Sequence, residues 1–112
     1  MMSAYEIIKK RRTIRKYKQE KIERALLEKL INAARLAPSG ANLQPLKYII
    51  VDSDEKLDDV FENVKWAGYI APEGDPKEGE KPVAYIIVLA DTEIRKTGWE
   101  RDAGAAVENI LL

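Results

Sequence analysis

Apolar residues recur at helical spacing through Ile22, Leu26, Leu27, Leu30, Ile31 and Ala34, while Glu23, Arg24, Glu28 and Lys29 fill the other side. This pattern predicts an amphipathic helix that Pro38 brings to an end. Ahead of it, Ser3 and Glu6 have the spacing of a capping box and predict a short helix with Tyr5, Ile7 and Ile8 on its buried side. Thr13, Ile14 and Tyr17 favour an extended or irregular path between the two. After Pro38, the stretch Ser39-Gly40-Ala41-Asn42-Leu43-Gln44-Pro45 reads as a loop in which Gly40 and Asn42 can take positive φ. Lys47–Asp52 (KYIIVD) predicts a strand. Leu57, Val60, Phe61 and Val64 predict a helix with Ser53 as its N-cap. Val83–Ala90 (VAYIIVLA) predicts a second strand, apolar enough to be buried on both faces. Between them, Gly68–Pro82 is a long loop of the kind that often carries function. Asp102–Leu112 (DAGAAVENILL) starts a last helix of small and apolar residues. Its final apolar turn has no cap, so the sequence reads as a domain that needs a further segment or a partner to cover that surface.

The length of 112 residues suits one domain over 1–112. Lys plus Arg balances Asp plus Glu at 19 each, which argues against a dedicated nucleic-acid binder. There is no cysteine and no histidine. Disulfides, thiolate metal sites, cysteine nucleophiles and serine–histidine triads are therefore excluded. Chemistry must come from carboxylates or from a cofactor. Charged residues over Lys9–Lys18 exclude a signal peptide, and no apolar run reaches membrane-spanning length, so a cytoplasmic protein is expected.

Three stretches could bind a ligand. Lys9–Lys18 (KKRRTIRKYK) holds seven basic residues and no acid. On an extended segment Arg11, Thr13 and Arg15 would share one side and present two guanidiniums and a hydroxyl to a phosphate. The plainer reading is a solvated basic run. Pro38, Ser39, Gly40, Asn42 and Gln44 could meet a heterocycle edge and sugar-like hydroxyls, although an ordinary helix-to-strand connection uses the same residue types. Trp66 and Tyr69, with Gly68 and Pro72, could form an aromatic lid, or simply pin a surface loop to the core. The acidic pairs Asp58-Asp59 and Glu78-Glu80 sit in solvent-facing contexts and receive no catalytic role.

Arg11–Val51, RRTIRKYKQEKIERALLEKLINAARLAPSGANLQPLKYIIV, resembles the nitroreductase family of FMN proteins. In that family R-R-S/T-I-R precedes a helix, and A-P-S-G/S-x-N-x-Q-P then leads into a strand. The stretch from Asp102 also resembles the family's D-x-G-A-A-x-x-N-x-L-L, so the likeness covers nearly the whole chain. It implies an α+β fold, an α/β/α sandwich with helices on both faces of a mostly antiparallel central sheet, incomplete at the C-terminus. It implies FMN as cofactor and NAD(P)H as electron donor, with ping-pong transfer to a small electrophile such as a nitroarene or quinone. By position, Arg11 and Thr13 match residues that hold the FMN phosphate and ribityl chain, with Arg12 between them. Arg15 matches the basic residue at the flavin edge, where its charge would stabilise the anionic reduced ring. Pro38, Ser39, Gly40, Asn42 and Gln44 match the loop that reaches FMN, characteristically from the other subunit of a homodimer. Trp66 and Tyr69 fall near the substrate face.

Members of that family generally run well beyond this length. The resemblance therefore implies further flavin contacts and a dimer-wrapping segment beyond these residues, completed by a longer chain or by a complementing C-terminal chain. Two other readings stay open: a non-catalytic flavin-binding half-domain, and a small RNA- or partner-binding domain using Lys9–Lys18.

Overall fold

The computed structural model describes all of residues 1–112. Its first helix, α1 (Ala4–Lys10), carries the expected capping box. The Ser3 hydroxyl accepts from the Glu6 amide at 3.2 Å, and the Glu6 carboxylate accepts from the Ser3 amide at 3.0 Å. The expected buried side is not buried. Tyr5 and Ile8 are 70% and 56% exposed, because no other element closes over α1. Residues 11–23 follow without regular structure.

Helix α2 (Arg24–Arg35) packs against α4 (Trp99–Leu111). Leu27, Ala34 and Ala106 are nearly inaccessible at this contact. Small side chains let the backbones approach, and the Asn109 side-chain amide donates to the Ala33 carbonyl at 2.9 Å. Helix α4 begins three residues ahead of the expected Asp102, because Gly98, at φ 82°, turns the chain directly into Trp99. That conformation is cheap only for glycine.

Strands β1 (Leu46–Val51) and β2 (Tyr85–Ala90) form an antiparallel pair, with Leu46 opposite Ala90 and Val51 opposite Tyr85. Leu46 and Tyr48 point toward α2 and α4, where they line a cavity with Ile31, Ala34 and Ala106. By alternation, Ile49, Val51 and Ile87 face the other way. There they line an open cleft with Val60 of α3 (Asp54–Glu62). Helices thus flank both faces of the sheet, the expected α+β arrangement, but the cover is uneven. β2 is not buried on both faces: its Leu89 remains 43% exposed, and Ile49 of the neighbouring β1 is 46% exposed. At the start of α3, Ser53 caps through its carbonyl, which receives the Lys56 and Leu57 amides, and its hydroxyl makes no capping bond. Val64 lies past the helix end. No helix is long and apolar enough to cross a membrane.

Candidate functional site

The connection from α2 to β1 is the most constrained part of the chain. Ala41, Asn42 and Gln44 all have positive φ, at 51°, 54° and 52°. Asn42 thus takes the left-handed region as expected, and Gly40 does not. Gly40 is needed for space instead: a Cβ there would fall 2.8 Å from the Arg95 guanidinium carbon. Pro45 is fully buried and anchors the loop's far end, its carbonyl accepting from the Asp91 amide at 2.8 Å.

One buried carboxylate organises the near end. Asp102 in the first turn of α4 is 5% exposed. It accepts the Ser39 hydroxyl at 2.6 Å and the Gly40 amide at 3.3 Å. Arg95 pairs with it at 3.3 Å and also donates to the carbonyls of Gly40 and Thr97, at 3.2 Å and 2.9 Å. The Ser39 hydrogen bond chiefly, then the Gly40 amide and the Arg95 charge, hold the Asp102 carboxyl below its ordinary 3.8, against the opposing effect of burial. A group with a depressed folded pKa contributes stability that is present above its unfolded pKa and lost as pH falls through the folded value. Acid titration below pH 3.8 is therefore expected to destabilise the wild-type chain more than Asp102→Asn. Equal acid sensitivity of the two in thermal melts would contradict this.

Pro38, Ser39 and Gln44 line a cavity of about 280 Å³ together with Tyr48, Asp102 and Ala106. Across the loop, the Gln44 side-chain Nε2 donates to the Asn42 side-chain Oδ1 at 2.6 Å. That bond leaves Asn42 Nδ2 as an unused donor and Gln44 Oε1 as an unused acceptor.

The basic segment lies elsewhere. Arg11 pairs with Glu108 near the C-terminal end of α4 at 3.5 Å. Arg12 folds back on the carbonyls of Lys9 and Arg11, at 2.7 Å and 2.8 Å, where it satisfies the end of α1. Thr13 and Arg15 border a shallow groove with Ile70, Glu73 and Gly74. The Thr13 hydroxyl makes no hydrogen bond, and Arg12 and Arg15 have no ion-pair partner. Beyond them the chain is tied down: the Tyr17 amide donates to the Glu80 carbonyl at 2.8 Å, and Gln19 donates to that of Lys81 at 2.9 Å.

Trp66 packs against Phe61 and Tyr17, with ring centroids 5.9 and 6.4 Å away. Tyr69 is 81% exposed. Trp66 Nε1 and the Tyr85 hydroxyl are buried without a hydrogen-bond partner, and burial pushes the Tyr85 phenol above its ordinary 10.0.

Within one chain, then, the two ligand-binding candidates remain apart. Arg11 contacts Glu108, and Ser39 contacts Asp102. Those two acids are six residues apart on α4, about 9 Å of helical rise. Sequence reasoning missed Arg95 and assigned Asp102 only to a helix start. The one available signal for Asp102 was a carboxylate heading a helix of otherwise small residues.

Comparison with known proteins gives this architecture a family. Residues 8–112 match the model of the nitroreductase family. A protein of Methanothermobacter thermautotrophicus, provisionally named NADH dehydrogenase/NAD(P)H nitroreductase, is 34% identical over 113 residues, which cover 99% of this chain and 54% of the relative. The structure of an FMN-dependent nitroreductase from Clostridium difficile R20291 superposes with a TM-score of 0.73 at 34% identity, over 93% of this chain and 56% of that one. A nitroreductase-type protein of Desulfovibrio desulfuricans, solved in complex with FMN, gives 0.75 at 28% identity, over 99% of this chain and 62% of that one. The fold is α+β, and the family match and FMN-bound neighbours place it among flavoproteins. The chain belongs to the nitroreductase family, and it spans little more than half the length of these relatives.

Proposed function

We propose that residues 1–112 supply one part of an FMN site in an NAD(P)H-dependent oxidoreductase. The observation that carries this reading is the open donor set at Thr13 and Arg15, a free hydroxyl beside a guanidinium with no counter-ion. An anionic phosphate and a polar ring would satisfy such donors. Arg11, Arg12 and Thr13 hold the phosphate and ribityl chain. To serve there, Arg11 exchanges its half-exposed Glu108 partner for phosphate, a small loss for a surface pair. Arg15 lies along the ring edge, where a fixed positive charge favours negative charge on the ligand. From the other loop, Asn42 Nδ2 and Gln44 Oε1 are a donor and an acceptor left unused by the bond between the two side chains, groups that a ring C=O and a ring N–H would satisfy. Pro38, Ser39 and Gly40 set the path of that loop.

FMN held by these residues would supply the redox chemistry between NAD(P)H and a small electrophile such as a nitroarene or quinone. The chain's own contribution is position and electrostatics, with Trp66 and Tyr69 bordering the substrate side. The chain spans little more than half the length of its relatives, which favours a site completed by further chain or by a second copy. We assign the oxidoreductase to the cytoplasm.

Visible absorption of the purified chain with added FMN, after gel filtration, tests the reading. Flavin bands co-eluting with protein and bleached by NADH are expected. Arg15→Ala is expected to weaken FMN binding by about tenfold or more, the loss of one charge-assisted hydrogen bond. The same variant is expected to lower the flavin reduction potential. If both quantities kept their wild-type values, Arg15 would not lie at the ring edge. Persistent colourlessness with added FMN would reject flavin binding by these residues alone.

A further inference from the structure

The α2–β1 loop holds a strained backbone that its own hydrogen bonds only partly account for. Three non-glycine residues with left-handed φ fall within four positions. Asparagine tolerates that region, but Ala41 and Gln44 gain nothing from it. Such conformations persist only where surrounding structure over-determines them. Within the loop, the Asn42 amide donates to the Ser39 carbonyl at 2.9 Å and the Leu43 amide to the Gly40 carbonyl at 3.1 Å; a further restraint comes from outside it.

It comes from Asp102. An ionised carboxylate only accepts hydrogen bonds, so the Ser39 hydroxyl must donate its proton to Asp102. The lone pairs of Ser39 then face the loop, and one accepts the Gln44 amide at 3.0 Å. That bond bridges the whole strained stretch from position 39 to position 44. A second oxygen of Asp102 takes the Gly40 amide, and Arg95 takes the Gly40 carbonyl. Both polar backbone groups at the start of the turn are thus held by side chains 55 and 62 residues away. Arg95, 17% exposed, balances the charge of Asp102.

The geometry points to Asp102, acting through Ser39, as the positioning residue that presents Asn42 and Gln44 to the bound ligand. Ser39 is a relay in this arrangement. Its only proton is committed to Asp102, so it has none to offer a ligand. That the ligand is FMN rests on the function proposed above; the clamp itself does not.

The experiment compares the full chain with Ser39→Ala, Ser39→Thr and Asp102→Asn. Amide hydrogen exchange is followed at Gln44 and Gly40, with Ala34 in α2 as internal reference, and FMN affinity is followed by fluorescence quenching. Ser39→Ala and Asp102→Asn are expected to speed exchange at Gln44 by roughly tenfold, the size of one lost hydrogen bond to a charged group, and to weaken FMN binding by about the same factor. Ala34 keeps its protection. Ser39→Thr keeps the hydroxyl and is expected to restore wild-type behaviour in both readouts, a rescue that side-chain volume alone would not produce. Wild-type exchange at Gln44 in Ser39→Ala, or exchange in Ser39→Thr as fast as in Ser39→Ala, would overturn the assignment. Should Asp102→Asn fail to fold, the two Ser39 variants still decide it. If no chain, wild type included, quenches FMN, the flavin reading alone fails and the exchange rates still judge the clamp.

Discussion

Leu27→Ala is expected to lower the melting temperature by about 10 °C or more, or to leave the chain unfolded at room temperature. Leu27 is 2% exposed and lies two helical turns before Ala34 on the buried side of α2, the helix that packs on α4. Removing a buried leucine side chain costs about 2–5 kcal/mol, the larger values where the surroundings cannot collapse into the gap. Two helices that meet through small side chains are already close and have little room to move in. The loss also falls on a lean core, since only 8 of 112 residues are buried. Leu26, the neighbouring residue, is 50% exposed, and Leu26→Ala should change stability by no more than about 0.5 kcal/mol. Chemical denaturation of the two variants beside wild type checks this. Similar small shifts for both would mean that the α2–α4 contact does not hold the fold together.

The same contact shows what the sequence made legible. Periodicity located α2, β1, α3 and β2 to within a few residues, because local apolar spacing reports which side of an element avoids water. It does not report what covers that side. Tyr5 and Ile8 have the right spacing and nothing over them, and β2 is apolar throughout yet covered unevenly. The start of α4 was missed for a different reason. A left-handed Gly98 stands where Ser, Thr or Asp usually caps, so the remaining start signal is the pair of acids in the first turn, Glu100 and Asp102. The motif residues Arg11–Arg15 and Pro38–Gln44 were legible as chemistry. Their separation along α4 was not, because it depends on which acid each segment meets. Ser39 and Asp102 are 63 residues apart in sequence, and nothing local to either names the other.

Gly40 shows how closely the loop and its clamp are fitted, and Gly40→Ala is expected to disturb both. The backbone of Gly40 is not in the left-handed region, so alanine is allowed there on conformational grounds alone. The conflict is spatial. Its Cβ would fall 2.8 Å from both Cζ and Nη2 of Arg95. An exposed arginine would swing aside, but this one is 17% exposed and bonded to Asp102, Gly40 and Thr97. Making room for the methyl group breaks at least one of those bonds and strips Asp102 of its balancing charge. The start of the loop then shifts while Pro45 stays fixed, and Asn42 and Gln44 lie between the two. Losing the hydrogen bonds of both side chains costs roughly tenfold to a hundredfold in affinity, and a loss of FMN affinity of that order is expected, together with a lower melting temperature. Gly104→Ala is the matched control. Nothing lies within 4 Å of a Cβ at that helical position, so the same substitution should raise stability by up to about 1 kcal/mol. Opposite signs at Gly40 and Gly104 separate the clamp from any general effect of alanine for glycine. If Gly40→Ala melted and bound like wild type, Arg95 would have to be free to leave Asp102, and the loop would owe its shape to Ser39 alone.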